Sequence, residues 1–582
     1  MTNKQEHNTH NIKSTKSLKV LSKPKAILFV GAIVLSVVGV LMLMRHDSKI
    51  SDGSVRVSAE DLLAGEDWKH FAGAKQDLSG VHFAPLSRQI VALGGAGYQP
   101  NPPVNVLGPH LEVNGDYEIT ASVNRSAESS VSLSYYFGMP IVYDEWRYEV
   151  PSIRTTLSAN SLVLDIWNGS SSKPIFTKLY SGTFGNRAKL TVAHIGSKIS
   201  VSIDSTRVAE EDDMGLFASG KIWFGGESSS GDGWQLSTLS ARSLGQGSLT
   251  AWSRPAFRVT SNKSNSLQSI ALKSNKGMMV GAAVALEPLM TDDVYRQIVG
   301  SQFGMITPEN AMKPQFIHPL KGSYAFEESD ALVEFAVANS IKIHGHTLVF
   351  SEANPAWMTS SDIADRQAIM TDHISTVVGH YKDKVSEWDV VNEPLAEETI
   401  PNDALRKNIW YQAMGTEYID KAFKAARAAD PKARLYINEF GLEEDGARWD
   451  AMVNLLTQLQ ARGVPIDGVG FQFHVYTKED QVDKDVLIKH MQSLASMGFS
   501  SRISEVDVLG DDHELQIDQY ETAYSVCRGI ESCTGVTTWG VTDRYGSNTT
   551  VAKYPLELGN NLLWDKDYSR KAAYDAVTSV FK

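Results

Sequence analysis

Three rhythms of apolar and polar residues follow one another along the chain. Residues 26–44 are 19 positions without a charge, about 28 Å of helix at 1.5 Å per residue, close to the hydrocarbon thickness of a bilayer. From about 57 to 244, short apolar-polar alternations are broken by Gly, Asn, Ser and Pro: Tyr117, Ile119, Ala121 and Val123 form one, Leu162, Leu164 and Ile166 another, Ile199, Val201 and Ile203 a third. A period of two marks strands with one buried face, and a series of them predicts a β-sandwich. Beyond a Ser/Asn-rich connector, buried-strand runs at 278–284, 303–308, 341–349, 388–391, 435–437, 468–475, 502–508 and 536–541 alternate with helical stretches. One helix is expected over 410–429, with Ile419, Phe423 and Ala426 on one face. Eight strand-helix units predict an α/β fold, a TIM barrel.

The expected organisation is a basic tail at 1–25, a transmembrane anchor at 26–44, a linker at 45–56, a β-sandwich at 57–246 with carbohydrate binding open to it, a connector at 247–265 and a barrel at 266–582. Six lysines (Lys4, Lys13, Lys16, Lys19, Lys23, Lys25) precede the apolar run against one acid, Glu6. The positive-inside rule then leaves the N-terminus in the cytoplasm and the rest periplasmic or extracellular, a single-pass arrangement. The run ends Leu41-Met-Leu-Met44 with no small-x-small site and no lipobox cysteine, which favours an anchor over a cleaved signal peptide.

Composition narrows the classes. Apolar residues make up 42% and charged ones 21% of the 582, enough for a sizeable core, and 55 basic against 68 acidic residues leave a net charge of −13 that argues against a nucleic-acid partner. Two cysteines, Cys527 and Cys533, are too few for a metal cage and lack redox-pair spacing. In an exported protein they read as a small disulfide loop, with a buried thiol pair as the alternative. No metal or cofactor is expected.

Chemistry in a TIM barrel sits where strands end. The fourth strand ends Asn392-Glu393-Pro394 and the seventh carries Ser504-Glu505-Val506-Asp507, so two glutamates face the barrel mouth. Paired carboxylates suit glycosidic cleavage: one protonated to release the leaving oxygen, one ionised to attack the anomeric carbon, a retaining pair standing about 5 Å apart. Structural carboxylates on barrel loops are the plainer alternative. The companions decide against it. Glu309-Asn310-Ala-Met-Lys313 follows strand two, Gly345-His346-Thr347 lies in strand three, Asn438-Glu439-Phe440 ends strand five, Gln472-Phe-His474 ends strand six, and Trp539-Gly-Val-Thr-Asp543 ends strand eight.

This ordered set resembles glycoside hydrolase family 10, the endo-β-xylanase family, from about Leu267 to Lys582. The resemblance implies Glu393 as general acid/base, Glu505 as nucleophile, and Asn392 on the 2-hydroxyl of the sugar being cleaved. It places His474 on the nucleophile, oriented by Asp507, and His346 on the substrate, held by Asp389. Glu309, Asn310 and Lys313 match hydroxyl-binding residues of the next sugar on the non-reducing side, Gln472 lies beside the reacting sugar and Trp539 is its stacking platform. Some family members carry a disulfide at the spacing of Cys527 and Cys533. More weakly, the segment 190–236 resembles the last strands of a concanavalin-like jelly roll. There Tyr143, Trp146, Tyr148 and Trp167 are candidates for stacking on sugars, against a core role.

Several departures fall at sugar-binding positions. Pro314 replaces a tryptophan; the family's Trp-His-x-Gln reads Phe350-Ser351-Glu352-Ala353, with a smaller aromatic and without the polar groups of the histidine and the glutamine; and Ser547 replaces the tryptophan that closes over the sugar. A missing hydrogen bond or stacking face is worth roughly 1–3 kcal/mol, enough to change which sugar is preferred. The expectation is a membrane-anchored retaining endo-β-glycanase, by family default an endo-1,4-β-xylanase. Trimming of an exopolysaccharide beside the export machinery, or non-catalytic glycan binding, are the alternatives.

Overall fold

The computed structural model describes residues 105–127, 130–137, 151–168, 174–228, 234–251, 255–261, 263–274, 277–319, 321–400, 403–510, 512–545 and 560–582, with the short strands Arg56–Val57, Ala74–Asp77 and Gly80–Phe83. The expected anchor at 26–44 and Tyr143, Trp146, Tyr148 and Ser547 lie outside the described residues. Among the described residues no helix is long and apolar enough to cross a membrane.

Two antiparallel sheets form the N-terminal sandwich. Tyr117–Arg125 lies inside one, between Arg187–Ile195 and Trp234–Ser243; Ser219–Ser228 lies inside the other, between Asn105–Asn114 and Val131–Tyr136. The alternation does what its period requires. Tyr117, Ile119, Ala121 and Val123 are buried in one core with Leu162, Leu164 and Ile166 of the facing sheet. Two expectations change. Strand Ser248–Ala251 pairs with Asn105–Asn114, so the sandwich continues into the segment read as connector. Trp167 is only 6% exposed, with the Arg154 guanidinium 4.3 Å from its ring centre, so it packs rather than offering a face to a sugar.

The barrel strands are β1 Met279–Val284, β2 Met305–Pro308, β3 Lys342–Gly345, β4 Glu387–Asn392, β5 Arg434–Glu439, β6 Gly468–Phe471, β7 Ser500–Val508 and β8 Cys533–Thr538. Every neighbour pair is parallel, β8 pairs with β1 and β6 with β7, and the sheet closes. All residues of β4 and β7 are buried, as strands covered on both faces must be. The single helix expected at 410–429 is two, Ile409–Met414 and Glu417–Ala429, broken at Gly415 with φ +59. The second buries Ile419, Phe423 and Ala426 as its periodicity predicts. A disulfide joins Cys527, near the end of helix His513–Gly529, to Cys533 at the start of β8.

Candidate active site

Glu393 follows the last residue of β4 with φ +51, a left-handed conformation that disfavours most residues other than Gly and Asn by about 1–2 kcal/mol. Its N–H donates to Asn438 O at 2.8 Å, which holds the turn in place. Glu505 sits within β7, 5% exposed. Two amides join the carboxylates. Asn438 Nδ2 donates to Glu505 Oε1 at 2.6 Å and to Asn392 Oδ1 at 2.8 Å, while Asn392 Nδ2 donates to Glu393 Oε1 at 3.2 Å. Gln472 Nε2 reaches the same Glu393 oxygen at 3.2 Å. The remaining acceptor of Asn438 takes the Ser504 hydroxyl at 2.6 Å. This close packing needs glycine at 470, where a β-carbon would stand 2.3 Å from Asn438 Oδ1.

Two histidines flank the pair. His474 places Nδ1 2.7 Å from Asp507 Oδ1 and Nε2 3.4 Å from Glu505 Oε2, and Asn561 Nδ2 holds the other Asp507 oxygen at 3.1 Å. Burial disfavours the imidazolium, but Asp507 and Glu505 outweigh it and raise His474 well above the usual histidine range. Reciprocally, burial pushes Glu505 up, while the His474 hydrogen bond and the nearby His346 and His474 bring it below the usual carboxylate range. These neighbours favour the ionised form of Glu505. His346 Nδ1 lies 2.9 Å from Asp389 Oδ2. Burial opposes charge on Asp389, and His344 and His346 beside it overcome that and hold it far below the carboxylate range.

After β2, Lys313 Nζ donates to Asn310 Oδ1 at 2.8 Å, and Asn310 Nδ2 to Glu309 Oε1 at 3.3 Å. The same Nζ stands 5.9 Å from the Trp539 ring centre, and the ring meets His346 edge-on at 5.3 Å. All the named polar residues and Trp539 thus gather at one mouth. Pro314 opens the short helix Pro314–Ile317, where its missing N–H is no loss. Phe350 is buried, and Ala353 takes φ +52 with its carbonyl accepting from Gln315 N at 2.8 Å.

The profile of Glycosyl hydrolase family 10 matches residues 268–580, more than half of the chain. The chain belongs to this family. It is a retaining glycoside hydrolase, and its barrel is the family's barrel. Among relatives, it is 31% identical over 325 residues to endo-1,4-beta-xylanase B of Thermotoga neapolitana, 54% of this chain and 91% of that one. It is 34% identical to endo-1,4-beta-xylanase C of Phanerodontia chrysosporium, 50% of this chain and 73% of that one. Xylanase 10B from Thermotoga maritima superposes with a TM-score of 0.51 at 32% identity, covering 54% of this chain and 98% of that one. The same figures hold at 97% coverage for xylanase 10B of Thermotoga petrophila in complex with xylobiose.

The family 10 site includes residues that sequence reasoning did not single out. Asn438 was visible only as part of a motif, and Ser504 only as the residue before Glu505; their roles arise from packing across three strands. Arg406 follows the short strand Asp403–Leu405, and its Nη2 lies 3.3 Å from Glu393 Oε2. Glu439, buried at the end of β5, accepts from Leu395 N at 2.9 Å and from Arg448 Nη2 at 2.9 Å. Burial pushes Glu439 up to about 7 against the pull of Arg448, with the Glu393 charge adding to the rise.

Proposed function

We propose that the chain is an endo-1,4-β-xylanase-type hydrolase with Glu505 as nucleophile and Glu393 as acid/base. Glu505 attacks the anomeric carbon while the bond to the glycosidic oxygen breaks, and Glu393 passes its proton to that oxygen. Water then attacks the same carbon, Glu393 takes its proton, and Glu505 leaves. One observation carries this reading: Glu505 is buried with Oε2 3.4 Å from His474 Nε2, a neighbour that helps bring it below the usual carboxylate range, while Glu393, linked to it through Asn392 and Asn438, sits at the mouth with its side chain 17% exposed. The relatives named as endo-1,4-beta-xylanases and the neighbour solved with xylobiose support xylan-like β-linked substrates. Glu505→Ala is expected to abolish turnover of all substrates, and azide to restore release from an activated substrate as the glycosyl azide of inverted configuration. Wild-type product of inverted configuration by proton NMR overturns the assignment.

Ala353 and the buried Phe350 leave an unadorned xylose unit with less to hold it, which supports better activity on substituted or branched β-glycans. A panel of linear xylan, substituted xylans and bacterial exopolysaccharides tests this, and a clear preference for linear xylan overturns it. The lysine-flanked segment 26–44 supports a membrane anchor and, with the altered pocket, a second reading as a trimming enzyme for exported polysaccharide. Full-length protein that carbonate strips from membranes removes the anchor and with it this second reading.

A further inference from the structure

Arg406 is built into the site from several directions. Its backbone N–H donates to Pro394 O at 2.8 Å and its Nε to Leu395 O at 2.9 Å, which fixes the guanidinium over the turn that carries Glu393. Nη2 then lies 3.3 Å from Glu393 Oε2 and Nη1 3.7 Å from Glu352 Oε1. The arginine side chain is 16% exposed, so its charge is poorly screened, whereas Glu352 is 46% exposed and faces water. Glu352 comes from the loop after β3, the stretch Phe350 to Ala353 in which the chain leaves the family pattern.

The acid/base must hold a proton in the first chemical step and carry a negative charge after the leaving group departs. A permanent cation at 3.3 Å from Glu393 favours the charged stage. It would hinder the first stage unless part of its charge were neutralised. Glu352 is placed to do that.

Resting on the acid/base reading of Glu393, we propose that Arg406 is a positioning residue that aims the Glu393 carboxyl and stabilises its charged form, and that Glu352 is the counter-charge that keeps Glu393 able to hold its proton. Glu393 also faces Glu439 from β5, with Arg448 behind it, Gln472 after β6 and Asn392 from β4; Glu505 lies beyond the two bridging amides. Glu439 acts in the same sense as Glu352, and neither Gln472 nor Asn392 titrates. Arg406 thus sets a cation at hydrogen-bonding range of the acid/base, and changing Arg406 and Glu352 should move Glu393 in opposite directions.

The test reads titration directly, on full-length protein labelled with 13C at glutamate carboxyls, the Glu393 signal being the one lost in Glu393→Gln. Arg406→Gln should raise its midpoint by about one pH unit or more, Arg406→Lys should return part of that shift, and Glu352→Gln should lower the midpoint by about half a unit. The alkaline limb of kcat/KM on an aryl β-xylobioside with a poor leaving group should move in the same three directions. Midpoints unchanged in Arg406→Gln, or moving the same way in Arg406→Gln and Glu352→Gln, overturn the proposal. Failure of the acid/base reading looks different: Glu393→Gln would keep full turnover of that substrate, whatever the titrations show.

Discussion

Asn438 offers the sharpest single perturbation, because one amide holds three partners. In Asn438→Ala, Glu505 Oε1 loses a 2.6 Å charge-assisted bond and Asn392 Oδ1 loses its 2.8 Å donor, both in buried surroundings. Ser504 is less affected, since its hydroxyl can turn to Phe471 O, 3.0 Å away. A hydrogen bond to a charged group is worth about 1.5–3 kcal/mol, and a buried acceptor left unpaired costs about 1–3 kcal/mol. If the Glu505 bond acts fully in the transition state, kcat/KM falls by about 10- to 150-fold at about 1.4 kcal/mol per factor of ten. Stability falls by about 2–4 kcal/mol, a Tm drop of about 4–8 °C at roughly 2 °C per kcal/mol for a large domain. Asn438→Asp keeps the shape but sets a second carboxyl against Glu505, so the two share a proton; it should lose more activity than Asn438→Ala and less Tm. Initial rates on 4-nitrophenyl β-xylobioside beside thermal unfolding provide the assay. An Asn438→Ala variant with lowered Tm but kcat/KM within threefold of wild type would refute the reasoning and leave Asn438 as scaffolding.

Three further outcomes are expected. His474→Asn removes the imidazolium that helps hold Glu505 below the usual carboxylate range, so the acid limb of kcat/KM should move to higher pH, and an unmoved limb counts against the ion pair. Burial lowers His318 to about 4, and burial together with His318 lowers His373 to about 3, so their contribution is full above the unfolded value near 6.5 and is lost as pH falls through 4. Their Nδ1 atoms lie 3.3 Å apart; Tm of the wild type should drop between pH 6.5 and 4, and His373→Gln should flatten that slope if the pair is responsible. Gly470→Ala drives a β-carbon to 2.3 Å from Asn438 Oδ1, and should cost activity even in the fraction that folds, measurable as a lower kcat with active-site titration.

The barrel was legible because its evidence is local. Each strand run is short, apolar and punctuated, and Glu393, Glu505 and both histidine-carboxylate pairs lie in strands or just beyond them, where register alone brings them together. What escaped is non-local or conformational. The 410–429 helix kept its apolar face on both sides of Gly415, so periodicity could not reveal the break. Arg406 lies 13 residues beyond Glu393 in a stretch with no periodic signal, and only the folded turn brings the two together. Trp167 stood at an outward-facing place in an alternating strand, and a buried position beside Arg154 cannot be read from period two. The strand Ser248–Ala251 lies at the start of the Ser/Asn-rich stretch that reads as connector.

The left-handed backbone at Glu393 has a consequence for laboratory evolution. A library screened only for survival after heating would reward Gly or Asn at position 393, because either relieves a conformation that glutamate tolerates poorly, and either also removes a negative charge from beside Glu439. Ala353, with φ +52 in the loop after β3, invites the same exchange to glycine. There the gain in heat tolerance would leave Glu393 and Glu505 in place. The two positions therefore form a built-in control: enrichment of glycine at 353 but not at 393 marks a screen that still senses turnover, whereas enrichment at both marks one that has lost sight of it.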